Sequence, residues 1–287
     1  MKKSHSWLFY AIITTVFWGV WGALIEIPEK AGFPATLGYV IWALTMIPCA
    51  AIALYLVKWK IDKDKRSIIL GSAVGILGAG GQLLLFQALQ DGPAYIIFPF
   101  ISLSPALTIL LSVVLLKEKT SFLKWIGIGT ALIAIFFLSY QEPGASDVRG
   151  YVWLALSVMV FIAWGLQAFI MKFSNKTMKA ESIFFYMALM GLLLAPLAIW
   201  MTDFSQPINW GFEGPYLAGL IHVLNAIGAL MLVYAFRYGK AIIVAPLTGL
   251  APLITIILSL FIYSVMPGPI LIIGLILAVV AIFILSV

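Results

Sequence analysis

The sequence has few charged residues. Asp, Glu, Lys and Arg make up 10% of the chain, whereas hydrophobic residues make up 63%. Soluble domains are about a quarter charged and about half apolar, and a water-facing fold of 287 residues has no room to hide so much apolar surface. The composition therefore excludes an ordinary soluble domain and predicts a protein embedded in a lipid bilayer.

Cysteine and histidine are also scarce. One cysteine, Cys49, and two histidines exclude a disulfide within the chain and offer no Cys/His metal spacing. Only His222 falls in an apolar run, and no Ser/His/Asp set or paired carboxylates accompany it. We therefore expect neither a cofactor nor an intramembrane enzyme. A channel is an alternative, although it would favour charged rings or a repeated filter loop.

Long apolar runs are what the sequence does contain. A helix that crosses about 30 Å of hydrocarbon needs ~20 apolar residues, and the chain divides into ten such runs. The run that begins at Trp7 is longer than a signal peptide's apolar region and lacks a small-residue cleavage site, so it is interpreted as the first membrane helix. The predicted spans are 7–26, 36–57, 67–90, 94–116, 122–140, 150–171, 181–201, 214–237, 241–265 and 268–286.

The basic residues predict the orientation of these spans. The chain has 17 Lys and Arg residues. If the N-terminus is cytoplasmic, only two of them, Lys30 and Arg149, fall in outside segments, and the other 15 fall in cytoplasmic segments. Lys and Arg bias loops towards the cytoplasm, so both termini are predicted to be cytoplasmic, in a bacterial inner membrane. The net charge of +6 is therefore interpreted as a topology signal, and no nucleic-acid partner is expected.

An internal repeat divides the chain. A shift of 147 residues aligns 92–139 with 239–286 without a gap. The identical positions include Gly92/Gly239, Pro99/Pro246, Pro105/Pro252 and Thr108/Thr255. We therefore predict an all-α transmembrane fold of two five-helix halves, 1–144 and 145–287. Because five is odd, the second half is inverted, an arrangement that supports alternating access.

The repeated stretch resembles a known family. The run GPAYIIFPFISLSP at 92–105 and its echo GKAIIVAPLTGLAP at 239–252 are similar to the fourth helix of EamA-type proteins of the drug/metabolite transporter superfamily. The run LKEK at 116–119 resembles the family's acidic step after that helix, with lysine in place of the usual glycine. The Trp-Gly pairs at 18–19 and 164–165 match the start of each half.

The resemblance implies a function in general terms. Members of the superfamily move amino acids, nucleosides, sugars, nucleotide-sugars and drugs, so the chain is expected to be a secondary transporter of a small organic metabolite. We expect alternating access and export, with facilitated exchange or uptake as alternatives. The expected partners are the small-molecule substrate and the bilayer, and the chain is expected to be a monomer or homodimer.

Candidate site residues come first from the repeated prolines. Pro105 and Pro252 fall near the middle of the fourth and ninth spans, where proline removes a backbone hydrogen bond and frees the carbonyl four residues earlier. The freed carbonyls are predicted either to line a central cavity or to be satisfied by nearby hydroxyls. The candidates from these spans are Pro99, Ser102, Pro105, Pro246, Thr248 and Pro252.

Polar residues of the third and eighth spans are further candidates. His222 and Asn225 share one face of the eighth span, and Gln82 lies on a glycine-bearing face of the third. Such faces meet other helices or a cavity rather than lipid. His222 is a candidate for proton coupling because imidazole changes charge near neutral pH. A neutral, hydrogen-bonded histidine at a helix contact is the alternative.

The first and sixth spans complete the candidate set. They contribute Trp18, Trp21, Trp164 and Gln167. Trp18 and Trp164 lie inside their spans, away from the interface where tryptophan usually anchors, so they are interpreted as a stacking wall for the substrate, with core packing as the alternative. Glu26, at the outer end of the first span, is a second coupling candidate. A solvated interfacial glutamate is the alternative there.

Overall fold

The computed structural model describes residues 6–91, 94–140, 151–263 and 268–286. Lys2, Lys3 and Arg149, which entered the charge count, lie outside these ranges. Every regular element within them is helical, as predicted. The elements are α1 (Ser6–Leu24), α2 (Glu26–Lys30), α3 (Ala35–Leu56), α4 (Lys65–Asp91), α5 (Ala94–Ser102), α6 (Ser104–Val114), α7 (Phe122–Leu138), α8 (Val152–Ser174), α9 (Ala180–Trp200), a π-helical turn (Phe212–Tyr216), α10 (Leu217–Tyr238), α11 (Ala241–Thr248), α12 (Ala251–Tyr263) and α13 (Pro269–Ser286).

The helices account for the predicted spans. Within the described ranges, eight helical segments are long and apolar enough to cross a membrane. Two shorter apolar segments stand where the fourth and fifth spans were predicted: Phe100–Val114, which joins the end of α5 to α6, and Phe122–Leu138, which is α7. Many outward-facing side chains are apolar, such as Phe283 at 70% and Ile52 at 63% exposure, which suits helices surrounded by lipid.

The fourth and ninth spans differ from the prediction, because each is two helices rather than one. The fourth divides into α5 and α6, and the ninth into α11 and α12. Pro105 and Pro252 lie in the first turn of α6 and α12 respectively. In that turn the missing amide costs no helical hydrogen bond. The repeated prolines therefore begin a helix instead of bending one.

Central helix pairs run antiparallel. In the pair of α1 and α10, the Thr14 hydroxyl donates to the Gly228 carbonyl at 3.1 Å, and further along α1 Trp21 contacts His222. Residue numbers therefore rise along α1 while they fall along α10. The pairs α4 with α8 and α7 with α13 run in the same antiparallel sense, and α3 lies against α9 and α10. Each of these antiparallel pairs joins a helix before residue 144 to one after it.

The helix ends that carry most Lys and Arg residues meet at one face, called the basic face below. It comprises segments 57–66, 115–121, 172–180 and 237–241. The side-chain contacts that join them include Asp62 with Lys179, Arg237 with Met178, and Lys240 with Lys119. These four segments, which the distribution of Lys and Arg assigns to the cytoplasm, therefore lie on the same side of the molecule.

Candidate functional site

Side chains from three helices form a cluster inside the bundle, called the aromatic cluster below. The packing of α10 against both α1 and α3 brings these helices together. The cluster consists of Trp18 and Trp21 from α1, Tyr39 and Trp42 from α3, and His222 and Asn225 from α10.

Three indole N–H groups of the cluster bind α10. Trp21 Nε1 donates to His222 Nδ1 at 3.1 Å. Asn225 receives the other two bonds, from Trp42 Nε1 to its Oδ1 at 2.8 Å and from Trp18 Nε1 to its carbonyl at 3.2 Å. A buried indole N–H needs an acceptor, and these bonds explain why α10 carries polar residues here. They also connect two groups that the sequence had indicated separately, the tryptophans of α1 and the polar pair of α10.

Tyr39 and Trp42 are members of the cluster that were not among the residues predicted from the sequence. Their ring centroids lie 5.2 Å apart, and the Tyr39 hydroxyl donates to the Gly191 carbonyl at 3.2 Å. Their spacing of three residues puts them on one face of a helix, and that spacing was the available signal. A chain with 14% aromatic residues offers many such pairs, so the spacing alone does not select this one.

His222 is buried, with 5% of its surface exposed. Its Nδ1 accepts the bond from Trp21, whereas its Nε2 has no hydrogen-bond partner among the described residues. A proton can add to Nδ1 only if Trp21 moves away, because an indole N–H can only donate. The coupling role of His222 stays a prediction, and it requires that movement.

Trp164 and Gln167 lie at a second crossing, between α8 and α4. Trp164 Nε1 donates to the Gly78 carbonyl at 3.3 Å. Gln167 fills the space beside Gly78, where an added Cβ would lie 2.2 Å from the Gln167 amide nitrogen. Gln82 is half-buried on the same helix, α4. Trp18 and Trp164 therefore lie at separate crossings rather than side by side, and their role as a stacking wall stays a prediction.

The two crossings share a hydrogen-bond pattern. The carbonyl of Gly19 accepts from the Thr255 hydroxyl at 2.9 Å, and the carbonyl of Gly165 accepts from the Thr108 hydroxyl at 3.0 Å. Thr108 and Thr255 are partners under the 147-residue shift. In both crossings the preceding tryptophan donates to a carbonyl of another helix. Each Trp-Gly pair thus joins one helix to two others through the same two bonds.

The breaks of the fourth and ninth spans meet in the structure. A Cβ on Gly249, between α11 and α12, would lie 3.4 Å from the ring of Pro105. The buried Thr248 hydroxyl donates to the carbonyls of Val244 and Ala245, at 2.9 and 3.2 Å, and so serves its own helix. The remaining predicted residues here are Pro99 within α5, Ser102 at its end, Pro246 buried in α11 and Pro252 at the start of α12.

Glu26 lies at the surface, in the short helix α2. Its carboxylate is 2.6 Å from Lys30 Nζ, and the two side chains are 54% and 63% exposed. This is the geometry of a solvated glutamate at the end of a span. Its role in proton coupling stays a prediction.

A more buried ion pair lies at the basic face. Glu118 Oε1 is 3.9 Å from Lys172 Nζ, and the side chains are 10% and 15% exposed. Glu118 also accepts a bond of 3.1 Å from the Ile242 amide in the first turn of α11. Lys172 donates to the carbonyls of Phe236 and Gly239, at 2.9 and 2.5 Å, where α10 ends. One pair of charges therefore ties together α8, α10, α11 and the segment before α7.

Comparison with known proteins gives a family and a fold. A model of the EamA-like transporter family matches the chain twice, over residues 5–140 and 149–287. A crystal structure with 17% sequence identity superposes with a TM-score of 0.77, over 97% of this chain and 98% of that chain. At that identity the likeness shows the fold alone.

Three relatives match over most of their own length. Protein LicB of Haemophilus influenzae is 25% identical in an alignment of 278 positions that covers 87% of this chain and 94% of that protein. An uncharacterized protein of Methanocaldococcus jannaschii is 31% identical over 137 residues, 47% of this chain and 97% of that protein. A probable 4-amino-4-deoxy-L-arabinose-phosphoundecaprenol flippase subunit of Hamiltonella defensa is 36% identical over 81 residues, 28% of this chain and 72% of that protein.

Proposed function

Because the chain belongs to the EamA-like transporter family, we propose that it carries a small organic metabolite across the membrane by alternating access of two inverted halves. Its apolar helices make it a multi-pass membrane protein. The proposed halves are 1–144 and 145–287. Export is the proposed direction, and it rests on the family resemblance.

The matching helix crossings are the observation that carries this proposal. The first Trp-Gly pair, Trp18-Gly19, joins α1 to α10 and α12, and the second, Trp164-Gly165, joins α8 to α4 and α6. Each pair begins one proposed half and binds helices of the other. Two sets of equal bonds, related by exchange of the halves, let each half adopt the other's conformation, which is the physical basis of alternating access in inverted repeats.

The comparisons support the division into two halves. The family model matches twice, and its two matches meet between residues 140 and 149. The Methanocaldococcus jannaschii relative spans 47% of this chain with 97% of its own length. A protein of one half's size is what a duplicated ancestor would have been.

The proposed orientation puts the basic face in the cytoplasm. In a Cys49→Ala background, we expect a membrane-impermeant maleimide to label Asp203→Cys in intact cells but Lys60→Cys only after lysis. Both positions are exposed, and they lie at opposite ends of the bundle. The physical reason is that Lys-rich and Arg-rich segments are retained on the cytoplasmic side. The reverse pattern would overturn the orientation, and equal labelling of both in intact cells would overturn the span assignment.

We propose that the substrate binds at the aromatic cluster. The cluster lies where α1 and α3 of one proposed half meet α10 of the other, and substrates of such carriers bind where the repeats meet. Trp21, Tyr39 and His222 lie near those ends of α1, α3 and α10 that are opposite the basic face. Polar groups buried within a membrane protein are costly unless a partner or ligand uses them. Gln82, Trp164, Gln167 and the helix breaks are proposed to border the path that the substrate follows.

Transport is tested by counterflow in proteoliposomes. Saturable accumulation of at least one labelled amino acid, nucleoside or sugar is expected, as is a lower rate for Trp42→Phe, which loses its bond to Asn225. Trp200→Phe is the matched control, because Trp200 is 81% exposed at the end of α9 and should transport normally. A lipid-linked amino sugar belongs in the panel because one relative is a probable flippase subunit.

The outcomes separate the rival functions. If the folded protein shows saturable flux of none of these compound classes, the proposed carrier function is overturned. An ionic current that does not saturate would favour a channel. Inside-out and right-side-out membrane vesicles report the direction of net transport. Net transport that is faster in the uptake direction than in the export direction would overturn the proposed direction.

A further inference from the structure

The tautomer of His222 follows from its contact with Trp21. Trp21 Nε1 lies 3.1 Å from His222 Nδ1. An indole nitrogen donates a hydrogen bond and never accepts one, so Nδ1 must present its lone pair. A neutral imidazole carries one proton, and that proton is therefore on Nε2. His222 is thus a hydrogen-bond donor on the side away from Trp21.

This donor has no partner within the described parts of the chain. His222 is 5% exposed, and buried polar groups in native structures are nearly always hydrogen-bonded. In a membrane interior an unsatisfied N–H is especially unfavourable. An acceptor atom on a bound molecule would satisfy this N–H.

The surroundings of Nε2 include a glycine and a second donor. A Cβ added to Gly38 of α3 would lie 3.6 Å from Nε2, at ordinary contact distance, so the glycine leaves about one methyl group's space on that side of the imidazole. One turn along α10, Asn225 uses its Oδ1 for Trp42. Its Nδ2 makes no hydrogen bond to another described residue, and Nδ2 can only donate.

The one acceptor of the His222 ring is thus occupied, whereas its donor is free. His222 Nδ1 and Asn225 Oδ1 accept indole bonds, and the Tyr39 hydroxyl donates to Gly191. The six side chains that form the cluster include no carboxylate. A ligand group made only of N–H donors could not satisfy the Nε2–H of His222. A ligand oxygen would accept from it.

We propose that the transported molecule presents a carboxylate or carbonyl oxygen to the Nε2–H of His222 and to the side-chain amide of Asn225. The inference rests on the proposed transport function and narrows the substrate to molecules that carry such an oxygen. It also gives His222 a role that needs no change of its charge during transport.

The tautomer is measured directly by NMR, because the chain has only two histidines. His5→Gln leaves His222 as the single ¹⁵N-histidine signal of the full-length protein in detergent. We expect a protonated Nε2 and an unprotonated Nδ1 without ligand. The opposite tautomer would overturn the inference whatever the transport assays give.

The ligand class is tested with three probes that share one ring: phenylacetate, phenylacetamide and phenethylamine. The two oxygen-bearing probes are expected to shift the Nε2 resonance, and phenethylamine is not. One hydrogen bond of this kind corresponds to about tenfold in affinity, so His222→Phe should bind the oxygen-bearing probes about tenfold more weakly. A phenethylamine response that equals the phenylacetate response would overturn the inference.

Gly38 provides a matched pair of variants that keep His222. Gly38→Ala and Gly38→Ser both add a Cβ at ordinary contact distance from Nε2, but only serine adds an acceptor. Gly38→Ser is expected to shift the Nε2 resonance without ligand and to weaken probe binding more than Gly38→Ala does. Equal behaviour of the two variants would overturn the inference.

Failure of this inference differs from failure of the transport proposal. If a substrate shows counterflow but leaves the His222 Nε2 resonance unchanged, the proposed contact with His222 is overturned and the proposed transport function stands. If ligands shift the Nε2 resonance but no compound shows flux, His222 is supported as part of a binding site and the proposed transport function is overturned.

Discussion

Replacing Gly19 with alanine is expected to destabilise the folded protein by about 3 kcal/mol, the upper end of the usual cost of overpacking. A Cβ on Gly19 would lie 2.3 Å from Ile254 Cβ and 2.8 Å from the Ala251 carbonyl oxygen. Neither neighbour is the end of a flexible chain, so α1 and α12 must separate. The separation also removes the bond from Thr255 to the Gly19 carbonyl.

The second crossing predicts a similar but smaller effect for Gly165→Ala. There the nearest atoms are Leu107 Cβ and Cδ2, both at 2.8 Å, so the side chain can yield in part. Gly129→Ala is the matched control, because no atom lies within 4 Å of its added Cβ. Alanine exceeds glycine in helix propensity by about 1 kcal/mol in soluble helices, so the control is expected to be neutral or slightly stabilising.

Thermal unfolding in detergent, followed by tryptophan fluorescence, measures these effects. The unfolding midpoint is expected to be highest for Gly129→Ala, lower for Gly165→Ala and lowest for Gly19→Ala. We expect counterflow by Gly19→Ala to be lost even at temperatures where it stays folded, since the crossing joins the proposed halves. A Gly19→Ala protein with the midpoint and flux of the Gly129→Ala control would refute the close crossing.

The sequence predicted the spans well because their signal is local. Each span depends on its own run of apolar residues, and the helices of the structure lie within a few residues of the predicted ranges. The breaks at Pro105 and Pro252 were located correctly but interpreted as bends. A proline fits both a bend and a first turn, and only the neighbouring backbone decides between them. Lys117, with φ of 55°, occupies a left-handed position that glycine favours, in agreement with the family's usual residue.

The candidate site was predicted in part because it combines a local pattern with non-local contacts. The face shared by His222 and Asn225 follows from their spacing, and the tryptophans of α1 follow from their depth. The contact between these two groups cannot be predicted from the sequence pattern, because it depends on which helices pack against α10. On α4 the repeat partners are Gly75 and Gly78, and side chains of α8 and α9 fill their space. The two halves thus place different chemistry at equivalent positions.

The ion pair at the basic face predicts the second large effect. Lys172→Met is expected to cost about 3 kcal/mol, because it leaves the mostly buried carboxylate of Glu118 without its counter-charge. It also removes the bonds to the carbonyls of Phe236 and Gly239 where α10 ends. Glu118→Gln should cost less, since an amide oxygen still accepts from the Ile242 amide. The double variant should cost less than the sum of the two, because no lone buried charge remains.

The pair of Glu26 and Lys30 is a matched control that separates distance from burial. Its charged atoms are 2.6 Å apart, closer than the 3.9 Å of Glu118 and Lys172, but both side chains are more than half exposed. Exposed pairs contribute little because water and salt screen them. Lys30→Met should therefore leave the unfolding midpoint unchanged. A larger loss for Lys30→Met than for Lys172→Met would show that distance, not burial, governs these pairs.

The ion pair also predicts how the basic face opens. Glu118 binds the first turn of α11 and Lys172 binds the end of α10, so separation of these helices requires that the pair break. In a Cys49→Ala background, Ser174→Cys is a reporter, because Ser174 is 0% exposed at the end of α8. Lys172→Met should speed its reaction with a thiol reagent, whereas Lys30→Met should not. If Ser174→Cys reacts at the same rate alone, with Lys172→Met and with Lys30→Met, the ion pair is no barrier to opening, and other contacts keep this face closed.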